Sequence, residues 1–512
     1  MGFTSGFKVY RSKKRYVIRN IYSGAYLDSL GLEVLHEIPR GVSKEEFKKW
    51  VRSTREILDA KFKTLDSDSR KEEYTTEEPL MDYEYGEWIY EINLDYLTFF
   101  FNHIPMFRLD NMPPDDVFLR SISFDHFGHH ALHEHTPVQY RHKWRAPPPL
   151  PHPKSSMAYK SCPNRSSTSS IHELLGTPMA LSAIERARAA FVGPLITRFM
   201  IERDVGLFLL RVLEAVSGRV HIPDYLLRLA LTFVNFAVGP PNPSLPCNSS
   251  GITWDFIWFR EDVCLRFTTH LDDEGNLQAS IGDLIHHINE TRTAGTFYGI
   301  VCSIFHCAIV RFDKDERGTS FAHTPPLQFL PSAYAREICT PGIEALSRLG
   351  CQASGVEFLN SISEAHHRPR LMHGRSRTMA SKVPVEIWRN IGEFITSPID
   401  LVNLAHISPQ ALSAACDLAR YPWISGYRLV DTVGSISPIP ETTEQTNEEE
   451  IQQYYIQLGR AQFTAVKGGR HVTVELSQER GRTSNTFKVK SYLIYDYQLD
   501  RYKEPHICEL CG

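Results

Sequence analysis

The sequence predicts a multidomain α+β protein with four parts: an N-terminal α+β unit, a central helical/β unit, a three-helix segment and a C-terminal β-meander. Three observations carry this expectation. The chain has 512 residues, more than one ordinary hydrophobic core holds, so about two to four folded units are expected. Runs with helical apolar spacing and runs bounded by hairpin turns occupy separate stretches of the central part. Stretches poor in apolar residues, 146–170 and 368–382, lie between the runs and read as linkers.

Residues 1–145 form the first expected unit. Phe7–Tyr10 and Tyr16–Ile18 flank the polar run Arg11–Arg15, the pattern of a hairpin with a solvated turn. Ser43 and Glu46 make a capping box: the hydroxyl accepts from a free helix N–H and the carboxylate reaches back. Phe47, Trp50, Val51, Thr54 and Leu58 follow at helical spacing. Trp88–Leu94 and Leu97–Phe101 read as strands. Tyr90, Phe99, Phe100, Phe101 and Phe107 are therefore expected in a core rather than on a base-stacking platform.

Residues 146–170 are rich in Pro and Ser. Proline removes amide donors and Ser buries little, so a linker is expected. Residues 171–367 open with three helical runs, Leu181–Ala190, Ile196–Val216 and Tyr225–Val238. Two hairpins are expected after them. One joins Cys264–Phe267 to Leu277–Ala279 around Leu271–Asn276, and the other joins Ile300–Phe312 to a strand from Ser320 around Asp313–Gly318. After the linker at 368–382, residues 383–430 read as helical and 431–453 as an acidic loop. Residues 454–512 read as a meander of Ala461–Val466, Arg470–Leu476 and Phe487–Tyr497, with Gly468–Gly469 turning the first pair.

Composition bounds the function classes. Hydrophobic residues make up 42% and charged residues 23%, values of a globular chain. The net charge is -4 and the pI about 6.6, so no clustered positive field for nucleic acid is expected. The first fourteen residues lack the apolar run of a secretory signal. Thr293–Val310, the least charged stretch, reads as a buried strand pair or core helix rather than a membrane span. Cys264, Cys302, Cys307 and Cys416 lie in apolar segments, as reduced thiols do. The expectation is an intracellular protein, cytoplasmic or nuclear, without a membrane partner.

The most informative stretch starts at Val383. Pro384 suits the first helical position, and Ile387, Ile391, Phe394 and Ile395 then fall on one face. Ser397, Pro398 and Asp400 open a second helix whose apolar face is Leu401, Leu404 and Ala405. Ser408 and Pro409 open a third, through Ala411, Leu412, Ala415 and Leu418. Three helices this short cannot bury all their apolar faces on one another, so a further surface must meet them.

Val383-Pro384-Val385-Glu386-Ile387, Ile391, Phe394, Asp400-Leu401, Leu404 and Ile407-Ser408 together resemble an F-box, over about residues 383–412. The resemblance implies docking on the Skp-type adaptor of a cullin–RING ubiquitin ligase. It places Pro384, Ile387, Ile391, Phe394, Leu401, Leu404 and Ile407 at that partner. The sequence departs from the pattern at Ser408-Pro409-Gln410, where an F-box carries a basic residue and no proline. Glu33–Val42, Tyr298–Cys307 and Ala419–Trp423 also resemble a large family of fungal, mainly basidiomycete, proteins. That likeness implies a fungal origin and brings no activity with it.

Two segments carry metal-ligand side chains. His126, His129, His130 and His133 crowd one segment. On a helix His126 with His130, or His129 with His133, would stack one turn apart and share a metal, with Glu134 as a base. Gly128 and Pro137 oppose such a helix. Cys508 and Cys511 are half of a tetrahedral zinc site. No nucleophile elbow, phosphate loop or dinucleotide fingerprint occurs, so no cofactor and no catalytic centre is predicted. The leading expectation is a non-catalytic interaction protein, a substrate receptor for some protein target. The alternatives are a metal-dependent enzyme or ligand-binding domain in the N-terminal unit, and a scaffold with no link to ubiquitin.

Overall fold

The computed structural model describes residues 4–502 apart from 78–79, 81–87, 125–129, 134, 143–147, 163, 166–167, 203–223, 240–255, 304, 317, 330–338, 354, 366–378, 425, 434–460, 479–491 and 497–500. Described residues up to Pro148 form one unit, and those from Pro149 onward form another. Both mix helices with sheets.

In the first unit β1 (Gly6–Ser12) and β2 (Arg15–Ile21) make the expected hairpin. Its two turn residues, Lys13 and Lys14, both have positive φ, 54° and 61°, which matches the twist of the strands but is disfavoured for a side-chain-bearing residue. The Asp95 carboxylate compensates, accepting from the Lys13 and Lys14 amides at 2.6 and 2.9 Å. After α1 (Leu32–His36), α2 (Lys44–Thr64) starts at the capping box: Ser43 N donates to Glu46 Oε2 at 2.9 Å and Glu46 N to Ser43 Oγ at 3.3 Å. Strands β3 (Glu73–Thr76), β4 (Trp88–Asn93), β5 (Thr98–Phe101) and β6 (Ile104–Arg108) complete a sheet of order β3-β2-β1-β4-β5-β6. Only β1 and β4 pair in parallel. Tyr90, Phe99, Phe101 and Phe107 pack with Val34, Leu35, Phe47, Val51 and Leu58 in one core, and Phe100 is buried too. Helix α3 (Asp115–Ser121) adds Phe118 to that core and leads into a ribbon of β7 (Ile122–Phe124) and β8 (His130–Leu132).

The second unit opens with a correction. Residues 146–170, expected as a linker, carry α4 (Pro153–Ser161) and the two-residue β9 (Asn164–Arg165). Proline sits at the start of α4, where its missing N–H is harmless, and Tyr159 is buried with its hydroxyl 3.0 Å from His323 Nε2. Next come α5 (Ile171–Leu175), α6 (Ala183–Glu202) and α7 (Asp224–Val238). Helix α6 runs unbroken through Gly193–Pro194, where two helices were expected. Burial of Val192 and Ile196 on either side outweighs the single amide donor that proline removes.

Strands β10 (Ile257–Arg260) and β11 (Val263–Phe267) precede α8 (Glu274–Thr291). The expected strand at Leu277–Ala279 is thus helix. The turn-like residues before it are a cap, Asp273 Oδ1 accepting from Asn276 N at 2.9 Å. Leu277, Ile281, Leu284, Ile285 and Ile288 follow at helical spacing, all buried. The expected strand Ile300–Phe312 divides into β12 (Gly295–Cys302) and β13 (His306–Asp315), and β13 pairs with β14 (Gly318–His323) as expected. With β15 (Leu327–Gln328) on β13, the sheet order is β10-β11-β12-β13-β14-β9. Helix α8 is the crossover between parallel β11 and β12.

Then α9 (Pro341–Cys351), α10 (Gly355–Ala365), α11 (Val385–Glu393), α12 (Pro398–Ala405) and α13 (Pro409–Ala419) follow. The helical expectation for 383–430 ends at Ala419. Pro422 cannot continue a helix, and β16 (Trp423–Ile424) and β17 (Tyr427–Thr432) begin a third sheet. It continues through β18 (Ala461–Lys467), β19 (Arg470–Gln478), β20 (Tyr492–Asp496) and β21 (Arg501–Tyr502) in sequential order, with Gly468 and Gly469 at positive φ in the turn read from sequence. Among the described residues no helix is long and apolar enough to cross a membrane.

Helix α4 lies against α8 at Gly282, where an added Cβ would stand 1.9 Å from the Ser155 carbonyl oxygen. Gly282→Ala is therefore expected to lower stability by about 1–3 kcal/mol through overpacking, read as a fall in the urea midpoint at unchanged slope.

Candidate protein-interaction surface

The surface is built from α11, α12 and α13. Ser408 caps α13, its hydroxyl accepting from Ala411 N at 3.1 Å, whereas Ser397 makes no side-chain cap bond at the start of α12. The three helices share a core of Trp388, Leu401, Val402, Leu404, Ala411, Ala414, Ala415 and Leu418 with Phe358, Leu359 and Ile362 of α10. Glycines permit this approach. A Cβ on Gly392 would lie 2.2 Å from Leu418 Cδ1, and one on Gly355 would lie 2.2 Å from Cys416 Cβ.

This packing splits the seven residues expected at a partner. Leu401 and Leu404 are 0% and 5% exposed, whereas Ile387, Ile391, Phe394 and Ile407 are 47%, 44%, 67% and 41% exposed. Pro384, just before α11, is exposed as well. Leu401 and Leu404 are thus core residues and not contact residues, because α10 covers the face they share. Helix α10 is not among the elements the sequence predicts, although Phe358, Leu359 and Ile362 stand there at helical spacing. The exposed residues Ile387, Ile391 and Phe394 follow at intervals of four and three, forming one stripe along α11.

The stripe is held rigidly at its C-terminal end. The buried Arg428 guanidinium of β17 donates to the Glu393 carboxylate, and Gly469 N donates to Glu393 O at 2.9 Å. The Phe394 ring lies over the β18–β19 turn, so close that a Cβ on Gly469 would be 2.6 Å from a ring carbon. Arg186 of α6 pairs with Asp431 of β17 at 2.7 Å, tying the third sheet to the helices of the same unit.

The metal-ligand expectations fare differently. His126 and His129 lie outside the described residues. His130 is in strand β8 and His133 just beyond it, so the helical stacking considered for them does not arise there. The His133 and His135 rings are 5.1 Å apart, and His135 N donates to His133 Nδ1 at 3.1 Å. Among the described residues no three His, Cys, Asp or Glu side chains are grouped to hold a metal ion. Cys508 and Cys511 lie outside the described residues. No family model matches the chain, and neither a curated protein nor a solved structure matches it.

Glu91 of β4 is a strongly perturbed carboxyl. Burial pushes it up to about 7, while the Arg11 guanidinium and a hydrogen bond from Asn93 Nδ2 at 2.8 Å pull the other way and Asp95 adds a further push upward. Arg11 itself lies against the rings of Tyr16 and Tyr96 at 5.3 and 4.8 Å, with Nε 3.4 Å from Asp95. These partners make Glu91 a buried structural carboxyl. Its ordinary value is 4.5, so between pH 4.5 and 7 the unfolded chain has released a proton that the folded chain keeps. Stability contributed by this group therefore falls as pH rises through that window and levels off above it. Glu91→Gln is expected to remove that decline, gaining about 3 kcal/mol relative to wild type between pH 4.5 and 7. Urea unfolding of both proteins across the window checks this, and parallel pH profiles would refute it.

Proposed function

We propose that the chain is a non-catalytic protein-interaction module whose residues from about 383 to 412 act as an F-box-type element. In this reading α11 docks on the Skp-type adaptor of a cullin–RING ubiquitin ligase. The observation that carries it is the exposed stripe of Ile387, Ile391 and Phe394 on a helix whose adjoining flank, Trp388 and Gly392, is buried. An apolar helix face of this spacing is what an apolar groove receives. Burying it on a partner contributes roughly 25 cal/mol for each Å² removed from water. Ile407, at the end of α12, adds a fourth exposed apolar side chain.

The finer division of the chain belongs to the same reading. The N-terminal α+β unit and the central helical/β unit offer surface to a protein target, the three helices hold the adaptor, and the meander braces them. Action is then by proximity: the target's lysines are held near a ubiquitin-charged enzyme, which raises their effective concentration. The site of action is intracellular.

The test is capture of this chain by a purified fungal Skp-type adaptor. The double change Ile387→Asp with Phe394→Asp places charge on the exposed stripe. It is expected to leave the circular dichroism spectrum unchanged and to weaken capture at least about tenfold. Leu401→Asp is expected to abolish cooperative unfolding instead, because it puts an unpaired charge in the core. Absence of capture by the wild-type chain overturns the reading.

A further inference from the structure

Two buried cysteines face one another at the end of the hairpin β12–β13. Cys302 and Cys307 are register partners, both are fully buried and neither is in a disulfide. The hydrogen bonding fixes what kind of pair they are. Ser303 N donates to His306 O at 2.8 Å, so the next pair inward, Cys302 with Cys307, is of the non-hydrogen-bonded kind. The other side of β13 gives the same answer. Ile309 N donates to Thr324 Oγ1 at 3.1 Å and Ile309 O accepts from Thr324 N at 2.9 Å. Its polar groups therefore point away from β12. Cys307, two residues earlier, points the same way and pairs with Leu327 of β15.

In such a pair the Cα atoms stand about 4.5 Å apart with the side chains on one face, within the span of about 4.4–6.8 Å that a disulfide bridges. The third buried cysteine of this sheet, Cys264, is opposite Gly299. That register places it on the other face from Cys302, because side chains alternate. Each of the two thiols thus has the other as its near partner.

We propose that Cys302 and Cys307 are a dithiol site that a two-electron oxidant, a hydroperoxide or a small-molecule disulfide, closes into a cross-strand disulfide. With hydrogen peroxide, one sulfur attacks an oxygen, the O–O bond breaks and a sulfenic acid and water result. The second sulfur then displaces that oxygen, which leaves as a second water, so two thiols and one peroxide give one disulfide and two waters. With a small disulfide, the first sulfur displaces one thiol and the second sulfur displaces the other. Burial pushes the Cys307 thiol well above its ordinary value, so the closed hairpin disfavours the thiolate that starts the reaction. The reaction passes through local opening at this end, where β15 covers β13 with only two residues.

The experiment uses the full chain, reduced and freed of reductant. One portion is incubated with hydrogen peroxide and one with oxidised glutathione, both under native conditions. Remaining thiols are then blocked with N-ethylmaleimide in denaturant before tryptic digestion. Thr293–Arg311 is released as one peptide that holds Cys302 and Cys307 and no other cysteine. The expected product is that peptide lighter by two hydrogen atoms and free of maleimide. Formation in either arm supports the site and names the oxidant class that reaches it. In Cys302→Ser the peptide should carry one maleimide. The proposal is overturned if the wild-type peptide carries two maleimides after both treatments, or if its thiols end as glutathione adducts, sulfinic acids or links to other cysteines.

Discussion

Helix α13 presents Ala411, Ala414, Ala415 and Ala419 to its neighbours, and the short radius of alanine sets how closely helices can approach. Helices α10, α11 and α12 all pack on it. Gly355 and Gly392 complete the approach from the other side, at positions where even a methyl group would overlap Cys416 or Leu418. With the backbones this near, the large side chains Phe358, Trp388, Leu401 and Leu418 have to fill the spaces between helices rather than separate them. Helix α11 has nine residues, and only one side of it reaches this centre. Its outer side is left apolar and exposed as a direct result.

Buried cations tie the segments around this centre. Arg188 of α6 donates Nε to Ala237 O at 2.8 Å and Nη2 to Gly239 O. Its charge therefore meets the C-terminal, negative end of α7. Gly350 of α9 makes room for the guanidinium, since a Cβ there would lie 2.8 Å from Arg188 Cζ. Arg348, two residues earlier in α9, donates to Pro178 O at 2.9 Å and Met179 O at 2.5 Å. A guanidinium in a dry interior is costly unless hydrogen-bonded. Here backbone carbonyls at helix ends and loops supply partners, and three distant stretches of sequence are fixed to one another.

Local signals were the legible ones. The Ser43 capping box, the Arg11–Arg15 turn, the Gly468–Gly469 turn and the starts of α12 and α13 each rest on residues a few positions apart, and they appear where the sequence puts them. The errors arose where one local pattern serves two structures. Asp272–Asn276 suits a hairpin turn as well as a helix cap, and only the burial of Leu277 to Ile288 on β11 and β12 decides between them. The proline-rich start of 146–170 suggested solvent, yet Tyr159 finds a buried partner in His323, far along the chain. The exposed stripe was legible as an apolar face of α11. Its separation from Leu401 and Leu404 was not, because that depends on α10 arriving from another part of the sequence.

The seating of Phe394 on the Gly468–Gly469 turn has an evolutionary meaning. A two-residue turn with both φ positive already favours glycine, but asparagine or aspartate usually serves there too. At Gly469 the ring above forbids that exchange. Drift at this sheet turn is therefore governed by an aromatic side chain at the C-terminal end of α11. A lineage that replaced Phe394 with a small residue would release the turn to diversify, and one that kept it would keep the glycine. Positions 394 and 469 should covary across homologous chains even though neither lies in the core of the unit.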